Sequence, residues 1–452
     1  MRLRKTITTI VATAILLAGW QLFAVIANQP ELIPSLPRLV RTLCEWLVSG
    51  SFYQSVGATI LRGILGMSIS FVCAIGMAGL FARFEWVYEL FRPLLAIMRS
   101  IPVISFILLA LIFLNPESIP LMIAFLTMFP LLTENLTRGI LDLRPGLSIM
   151  ARQFHIKRSN VLFQIIYPQL KPFLYSGLAS AAGFGWRAII MGEVLSQCAF
   201  GIGSEMKRAQ NFIAVPELLA WTIVAVFISF FFDKGISKVA DITPKISFAN
   251  EDQTIPTPTL SVLDTKDISY QYGIQHFSHS FQKGIIYGIS APSGKGKTTL
   301  LNLIGGILLP TEGEIHPTRH FGIATIFQQP QLLPHLTAEE NIILPLSSFL
   351  TEEKARRIAQ KHLQEMEMEP FGNRYPKELS YGQQQRIAIA RALAYPSPLL
   401  LMDEPFKGLD EALSHRIIER IREIQMKEER IILFTSHNPD EIRLLADEVI
   451  YL

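Results

Sequence analysis

The chain changes character near residue 235. Before that point, long apolar runs recur between short polar stretches. After it, apolar residues come in short blocks among charged, Gly- and Pro-containing segments. Runs near 7–27, 56–82, 91–114, 118–137, 173–193 and 215–233 are each long enough to cross a hydrocarbon layer as a helix. They predict an all-α membrane domain of six transmembrane helices over 1–240. Residues 241–258 are rich in Pro and Thr, which predicts a mobile linker. Residues 259–452 predict an α/β domain. Ile285–Ser290 and Leu399–Asp403 read as strands buried on both faces of a parallel sheet, and Gln384–Leu393 as a strong helix.

Charge orients the membrane half. Met1-Arg-Leu-Arg-Lys5 precedes the first apolar run, but no Ala-x-Ala site follows, so the run reads as an anchor rather than a leader. Arg2, Arg4 and Lys5, then Arg138, Arg144, Arg152, Lys157, Arg158 and Lys171, then Lys234, Lys238 and Lys245 fall on one side of a six-span arrangement. The opposite loops carry only Arg38, Arg41, Lys207 and Arg208. Both the N-terminus and the second domain are therefore expected in the cytoplasm, with the chain multi-pass in the cytoplasmic membrane and in contact with lipid. Charged residues are 17% of the chain, against about 25% in soluble proteins, and the depletion is confined to the first half. A net charge of +3 without a basic run gives no reason to expect nucleic acid. Cys44, Cys73 and Cys198 match no metal spacing and read as small packing residues.

The chemistry lies in the second domain. Ala291-Pro292-Ser293-Gly294-Lys295-Gly296-Lys297-Thr298-Thr299 follows a strand and opens a helix, the setting of a phosphate-binding loop. Backbone N–H groups at a helix start would cradle phosphates, Lys297 would reach the β and γ phosphates of ATP, and Thr298 would hold Mg²⁺. Ala291 stands where the motif usually has glycine; a positive φ there would cost about 1–2 kcal/mol. Asp403 and Glu404 end a buried strand, where ligands bind in open α/β sheets. Asp403 is expected on the metal, and Glu404 is expected to polarise the attacking water. Ser380-Tyr381-Gly382-Gln383 opens a helix whose N–H groups and dipole suit an anion.

In this order, Lys297, the Ser-x-Gly-Gln stretch and Asp403–Glu404 resemble the nucleotide-binding domain of an ABC transporter over 259–452. The resemblance implies ATP and Mg²⁺, with Ser380, Gly382 and Gln383 meeting the ATP held by a second copy. It implies that Tyr272, or else Tyr270, stacks on adenine. Gln328, or less well Gln329, meets Mg²⁺ and water and senses the membrane domain. His437 acts as a switch at the γ-phosphate. Two departures are plain: Tyr381 stands where the family usually has glycine, and Lys407-Gly-Leu-Asp410 replaces a loop that usually starts with a small residue.

Residues 149–155 and Ile165-Ile-Tyr-Pro168 keep the spacing of the coupling motif of bacterial importer permeases. Ala151, Ile165 and Pro168 match it, while Ile149 replaces an acid and His155 a glycine. The helix it forms is expected in a groove of the ATP domain beside Gln328. Trp20, residues 33–37, Arg62 with Gly66, Pro93, Arg99–Pro102, Gly185-Trp186-Arg187 and Gly192-Glu193 resemble permeases for nitrate, sulfonates, taurine and thiamine precursors. Arg187 and Glu193 suggest a solute pathway or an ion pair, though six residues apart they do not share a helix face; a structural role is the alternative. The resemblance implies ATP-driven import of a small solute by two copies working with a separate extracytoplasmic substrate-binding protein. An exporter fits poorly with the coupling-motif spacing and short loops. A membrane-anchored ATPase with a regulatory, non-transport role is the remaining rival.

Overall fold

A computed structural model describes residues 2–240, 244–253, 260–271, 273–292, 294–317 and 322–452. Contacts divide the chain into two units, Met1–Leu143 with Gln169–Thr243, and Arg144–Pro168 with Pro244–Leu452. The division differs from the expected single cut near 240, because 144–168 leaves the helical unit and joins the second one. The expected linker also differs. Its residues 241–243 and 254–258 lie outside the described residues, but 244–253 is anchored. Ala249 N donates to Ser347 O at 3.0 Å, Gln253 N to Phe349 O at 2.8 Å, and Ile246 and Phe248 pack on the core of the second unit.

The first unit is all helical. Gly50–Arg83, Pro116–Leu141, Arg158–Ser196 and Val215–Lys238 are long and apolar enough to cross a membrane. The expected span at 91–114 is instead a broken pair, Glu85–Ser100 and Val103–Phe113, bent by 95°. Pro102 explains the break: it forces Ile101 out of the helical region, to φ −70°, ψ 129°. Arg2–Ala27 is one helix, of which Val11–Ala27 is an apolar stretch. The described residues thus give four spanning helices, or five with the bent pair, rather than six.

Small residues decide how the spans pack. Ser55, Thr59, Gly63, Gly66, Ser70, Ala74 and Ala78 recur every three or four residues and are all buried on one face of Gly50–Arg83. Without a hydrophobic driving force in lipid, such a face wins by close van der Waals approach. At Gly66 a Cβ would stand 2.7 Å from the Ala124 Cβ on Ile119–Leu141. Glu193, fully buried, is paired with Arg62 at 2.8 Å rather than with Arg187. It also accepts from the Thr59 hydroxyl at 2.9 Å and from Gly203 N at 2.9 Å. Arg62 extends the cluster to Glu117 at 2.6 Å. Cys198 is buried as expected, whereas Cys44 and Cys73 are exposed.

The second unit is α/β. β1 (Val262–Tyr270), β2 (Ile274–Gln282) and β4 (Glu312–His316) form an antiparallel sheet in the order β2-β1-β4. β3 (Ile286–Ser290), β5 (Ala324–Ile326), β6 (Leu399–Asp403), β7 (Ile431–Thr435) and β8 (Glu448–Tyr451) form a parallel sheet in the order β5-β6-β7-β3-β8. Asp403 pairs with Thr435, and Thr435 with Ile289. The strand ends are level, so whatever follows β3, β5, β6 and β7 meets on one edge.

The Gly66 contact can be tested. Gly66→Val forces a side chain against Ala124 and is expected to cost about 1–3 kcal/mol, read as a lower melting temperature of the purified protein. Gly76→Val, at a position with nothing within 4 Å, is the control and should melt nearer the native value. Equal melting of the two variants would show that this contact does not hold the helices.

Candidate active site

Each strand end on that edge delivers one candidate group. After β3, the 291–299 loop turns into the Lys297–Ile304 helix. Gly296 at the turn has φ +90°, and a Cβ there would lie 2.7 Å from Gly273 O, so only glycine fits. Ala291 is not among the residues with positive φ, and alanine therefore carries no left-handed strain at that position. The buried Lys297 folds its ammonium back to donate to Ala291 O at 2.7 Å. Ser293 and Tyr272 lie outside the described residues. Tyr270, the other adenine candidate, packs half-buried on the core beneath the three-stranded sheet.

Asp403 ends β6. Its two oxygens accept from the Thr298 hydroxyl at 2.9 Å and the Thr435 hydroxyl at 2.8 Å. Burial pushes its pKa up, the two hydroxyls oppose this, and the charge of Glu404 adds to it. Oxygen ligands of this kind fit a hard cation such as Mg²⁺. Among the described residues no group of three His, Cys, Asp or Glu side chains could hold a metal alone. A cation here would share Thr298 and Asp403 with phosphate oxygens, the usual manner for Mg²⁺.

Glu404 follows with φ +49°, an uncommon conformation for a non-glycine residue, fixed by its N–H donating to the Thr435 hydroxyl at 3.0 Å. Its carboxylate meets Lys407 at 3.2 Å and His437, the residue two beyond β7, at 3.0 Å. Burial works to raise its pKa. The hydrogen bonds from Lys407 and Gln328 and the nearby charges of Lys407 and His437 outweigh that and hold it below the usual carboxylate range. The group is therefore ionised and placed to accept a proton. Gln328 and Gln329 follow β5 and are both exposed. Thr298, Asp403, Gln328 and Gln329 line a cavity of about 270 Å³ together with Gly146 and Ile149 of the 144–168 segment.

Ser380 caps the Tyr381–Ala394 helix in a reciprocal box. Its hydroxyl accepts from Gln383 N at 3.3 Å, and its own N–H donates to Gln383 Oε1 at 2.9 Å. Gln383 thus spends its side-chain oxygen on the cap. Among the described residues no hydrogen bond joins this helix start to the 291–299 loop. Tyr381 donates its hydroxyl to Gln328 O at 2.7 Å and rests on Gly408, where a Cβ would come 2.7 Å from its ring at φ +80°. The two sequence departures fit one another: the large ring at 381 requires the glycine at 408.

The 144–168 segment is built into this unit. Its helix Pro145–Gln153 ends with His155 at φ +47° and Ile156 N donating to Ala151 O at 2.9 Å, a left-handed cap normally served by glycine. Burial pushes the His155 pKa down. Ala151 and Ile165 are buried in the core of the unit. Pro168 lacks an N–H, and the wide turn Val161–Ile166 just before it absorbs the loss. Sequence reading missed the residues that fasten the segment. Gln153 donates to Gly305 O at 2.8 Å and accepts from Ile323 N at its own carbonyl at 2.8 Å. Asn160 bonds Ser247 O and the Ser347 hydroxyl, each at 2.8 Å. The Phe154 ring lies edge-on to Tyr395 at 5.2 Å and beneath the Arg391 guanidinium at 5.5 Å. Gln153 follows Arg152 and Asn160 follows Lys157-Arg158-Ser159, so nothing in the local pattern marked either amide.

Comparison with known proteins gives the following. Residues 274–407 match the family described as ABC transporter, and residues 56–233 match the binding-protein-dependent transport system inner membrane component. An uncharacterized ABC transporter ATP-binding protein of Methanocaldococcus jannaschii is 34% identical over 201 residues, which is 40% of this chain and 85% of that protein. The thiamine import ATP-binding protein of Yersinia pseudotuberculosis is 34% identical over 205 residues, 42% of this chain and 86% of the other. For the Fe(3+) ions import ATP-binding protein of Rhizobium etli the values are 35% over 189 residues, 40% and 54%. The chain thus spans about half the length of several curated relatives it matches. A solved dimeric ATP-binding cassette with bound ADP and Pi is similar at 32% identity over 42% of this chain and 94% of the other, with a TM-score of 0.40.

Lys407 offers a test of the electrostatics. A base must be ionised, so turnover falls as pH drops through its pKa. Lys407→Ala removes two of the influences that hold Glu404 low, and its pKa should rise. The acid limb of the ATP turnover profile is then expected to move to higher pH. A limb that stays in place would mean that another group sets it.

Proposed function

The chain belongs to the ABC transporter family, with permease and ATPase in one polypeptide, and on that premise we propose that two copies form an importer for a small solute. The reading places it as a multi-pass protein of the cytoplasmic membrane, with the N-terminus and the ATPase inside. The permease family it matches is binding-protein-dependent by description, and a separate extracytoplasmic protein would deliver the solute.

In this reading the 291–299 loop and Lys297 hold the phosphates of ATP. Thr298, Asp403 and Gln328 would hold Mg²⁺, which when bound offsets the charge of the phosphate oxygens. Glu404 takes the proton of the attacking water, and His437 steadies that carboxylate and faces the γ-phosphate. Ser380 and Gly382 serve the ATP of the other copy, which agrees with the lack, among the described residues, of hydrogen bonds between them and the phosphate loop of their own chain. ATP then draws the two copies together, and hydrolysis releases them.

One observation carries the reading: the 144–168 segment, which belongs to the membrane half by sequence, is buried in the ATPase unit. The path is continuous. Gly146 sits where a Cβ would touch the Gln331 amide at 2.6 Å, and Gln328, three residues before, reaches Glu404. A change at the nucleotide can be felt by the segment that leads back to the spans. An ATPase that was merely anchored would need no such contact.

Two variants test this. Glu404→Gln keeps the phosphate cradle and loses the base, so nucleotide binding should persist while turnover falls by about 10²-fold or more. Near-normal turnover would reject the assignment. Ala151→Asp would place an unpaired carboxylate in a buried contact, a cost of several kcal/mol. It should leave nucleotide binding in place while stimulation of ATP turnover by the loaded binding protein is lost. Unchanged stimulation would mean that another segment does the coupling.

A further inference from the structure

We propose that Arg187 lines a water-filled solute path between two copies of the chain and makes that path selective for solutes carrying an anionic group. The inference rests on the two-copy reading above.

Pro172, Ser176, Ala179, Phe184, Arg187 and Met191 are exposed and recur every three to five residues, so they form one face of the Arg158–Ser196 helix. Arg187 stands deep in the span. It is about 13 Å from Ser196 and about 24 Å from Lys171 by helix rise. A guanidinium at that depth is costly in lipid. It could escape by reaching for the nearer helix end, but it does the reverse. Its guanidinium carbon lies 5.5 Å over the ring of Phe184, one turn toward the middle of the span.

Nor is the charge matched among the described residues. Among the described residues Arg187 forms no ion pair. Glu193 is taken by Arg62, and Glu134 by Arg99 and Arg138. Asp233 borders a cavity with Ala182 and Trp186, on the other side of the helix. The exposed face of the helix holds no acid of its own. If this face meets its copy across a two-fold axis, two guanidinium groups approach each other, and a dry contact is ruled out by like-charge repulsion. The neighbouring Ser176 and Ala179 are small and leave room. Water and an anion satisfy the site; lipid or a tight helix contact does not.

A charge-reporting thiol tests this without knowing the solute. In a chain with Cys44, Cys73 and Cys198 replaced by serine, Met191→Cys puts a thiol one turn from Arg187 on the same face. In nanodiscs its reaction is timed with an anionic sulfonatoethyl and a cationic trimethylammonioethyl methanethiosulfonate. Their rate ratio cancels any change in the thiol pKa and reports the local potential. Adding Arg187→Gln should lower the anionic-to-cationic ratio about tenfold, as expected for a unit charge roughly 6 Å away in water. Arg187→Lys should restore it. A ratio that does not move, as when a carboxylate of the second copy neutralises Arg187, overturns the proposal. So does a thiol that reacts only with a membrane-soluble maleimide. Cross-linking of two Ala179→Cys chains by a bis-maleimide and the mass of the detergent complex report the two-copy state separately. A dimer with an unmoved ratio sinks this inference alone, whereas a monomer sinks the reading beneath it.

Discussion

A buried positive charge without a carboxylate organises the second unit. Arg391 is 1% exposed, and burial pulls its pKa down to about 10. Among the described residues no acid pairs with it. It is held by the carbonyls of Pro330 at 2.8 Å and Gln331 at 2.9 Å, and by the face of Phe154. A buried charge must be satisfied, so these contacts have to form together. One comes from the segment that follows β5, the other from the segment that belongs to the permease by sequence. Arg391 sits on the Tyr381–Ala394 helix, whose first turn is the Ser380–Gln383 cap. A single rigid element therefore carries the Ser380–Gln383 cap at one end and holds both the glutamine segment and the 144–168 segment near the other.

The edge of the parallel sheet follows the same economy. Strands β3, β5, β6 and β7 end at nearly the same level, so Asp403, Glu404, Gln328, His437 and the 291–299 loop all fall at a strand end or within two residues of one. The left-handed Glu404 shows how tightly the register constrains that step. The backbone accepts an uncommon conformation so that one acid faces the threonines and the next faces His437 and Lys407.

Much of this could be read from the chain. Asp403 and Glu404 were legible because a strand buried on both faces is a continuous apolar run, and its C-terminal end is where polar groups first become possible. The 291–299 loop was legible because its glycines answer to local backbone needs. What stayed hidden depends on partners far along the chain. Arg62 and Glu193 are 131 residues apart, and no helical periodicity joins them. The bend between Ser100 and Val103 was announced by Pro102, yet hydropathy averages over it. The seating of 144–168 depended on Gln153 and Asn160, whose partners cannot be found from local pattern. Tyr381 and Gly408 looked like two independent departures until their contact made them one.

That seating also has a bearing on how the protein is made. Lys157 bonds Ser348, 191 residues further on. At a synthesis rate of about 5–20 residues per second, the earlier segment waits roughly 10–40 s for its partner to emerge. Through that interval Phe154, Ala151 and Ile165 have no core to enter, and the flanking spans are already being placed. The ATPase unit is therefore discontinuous along the chain and closes only after much of its second piece has been synthesised. A fused arrangement ensures that the docking partner arrives on the same molecule, at high local concentration, before the exposed apolar segment meets another chain.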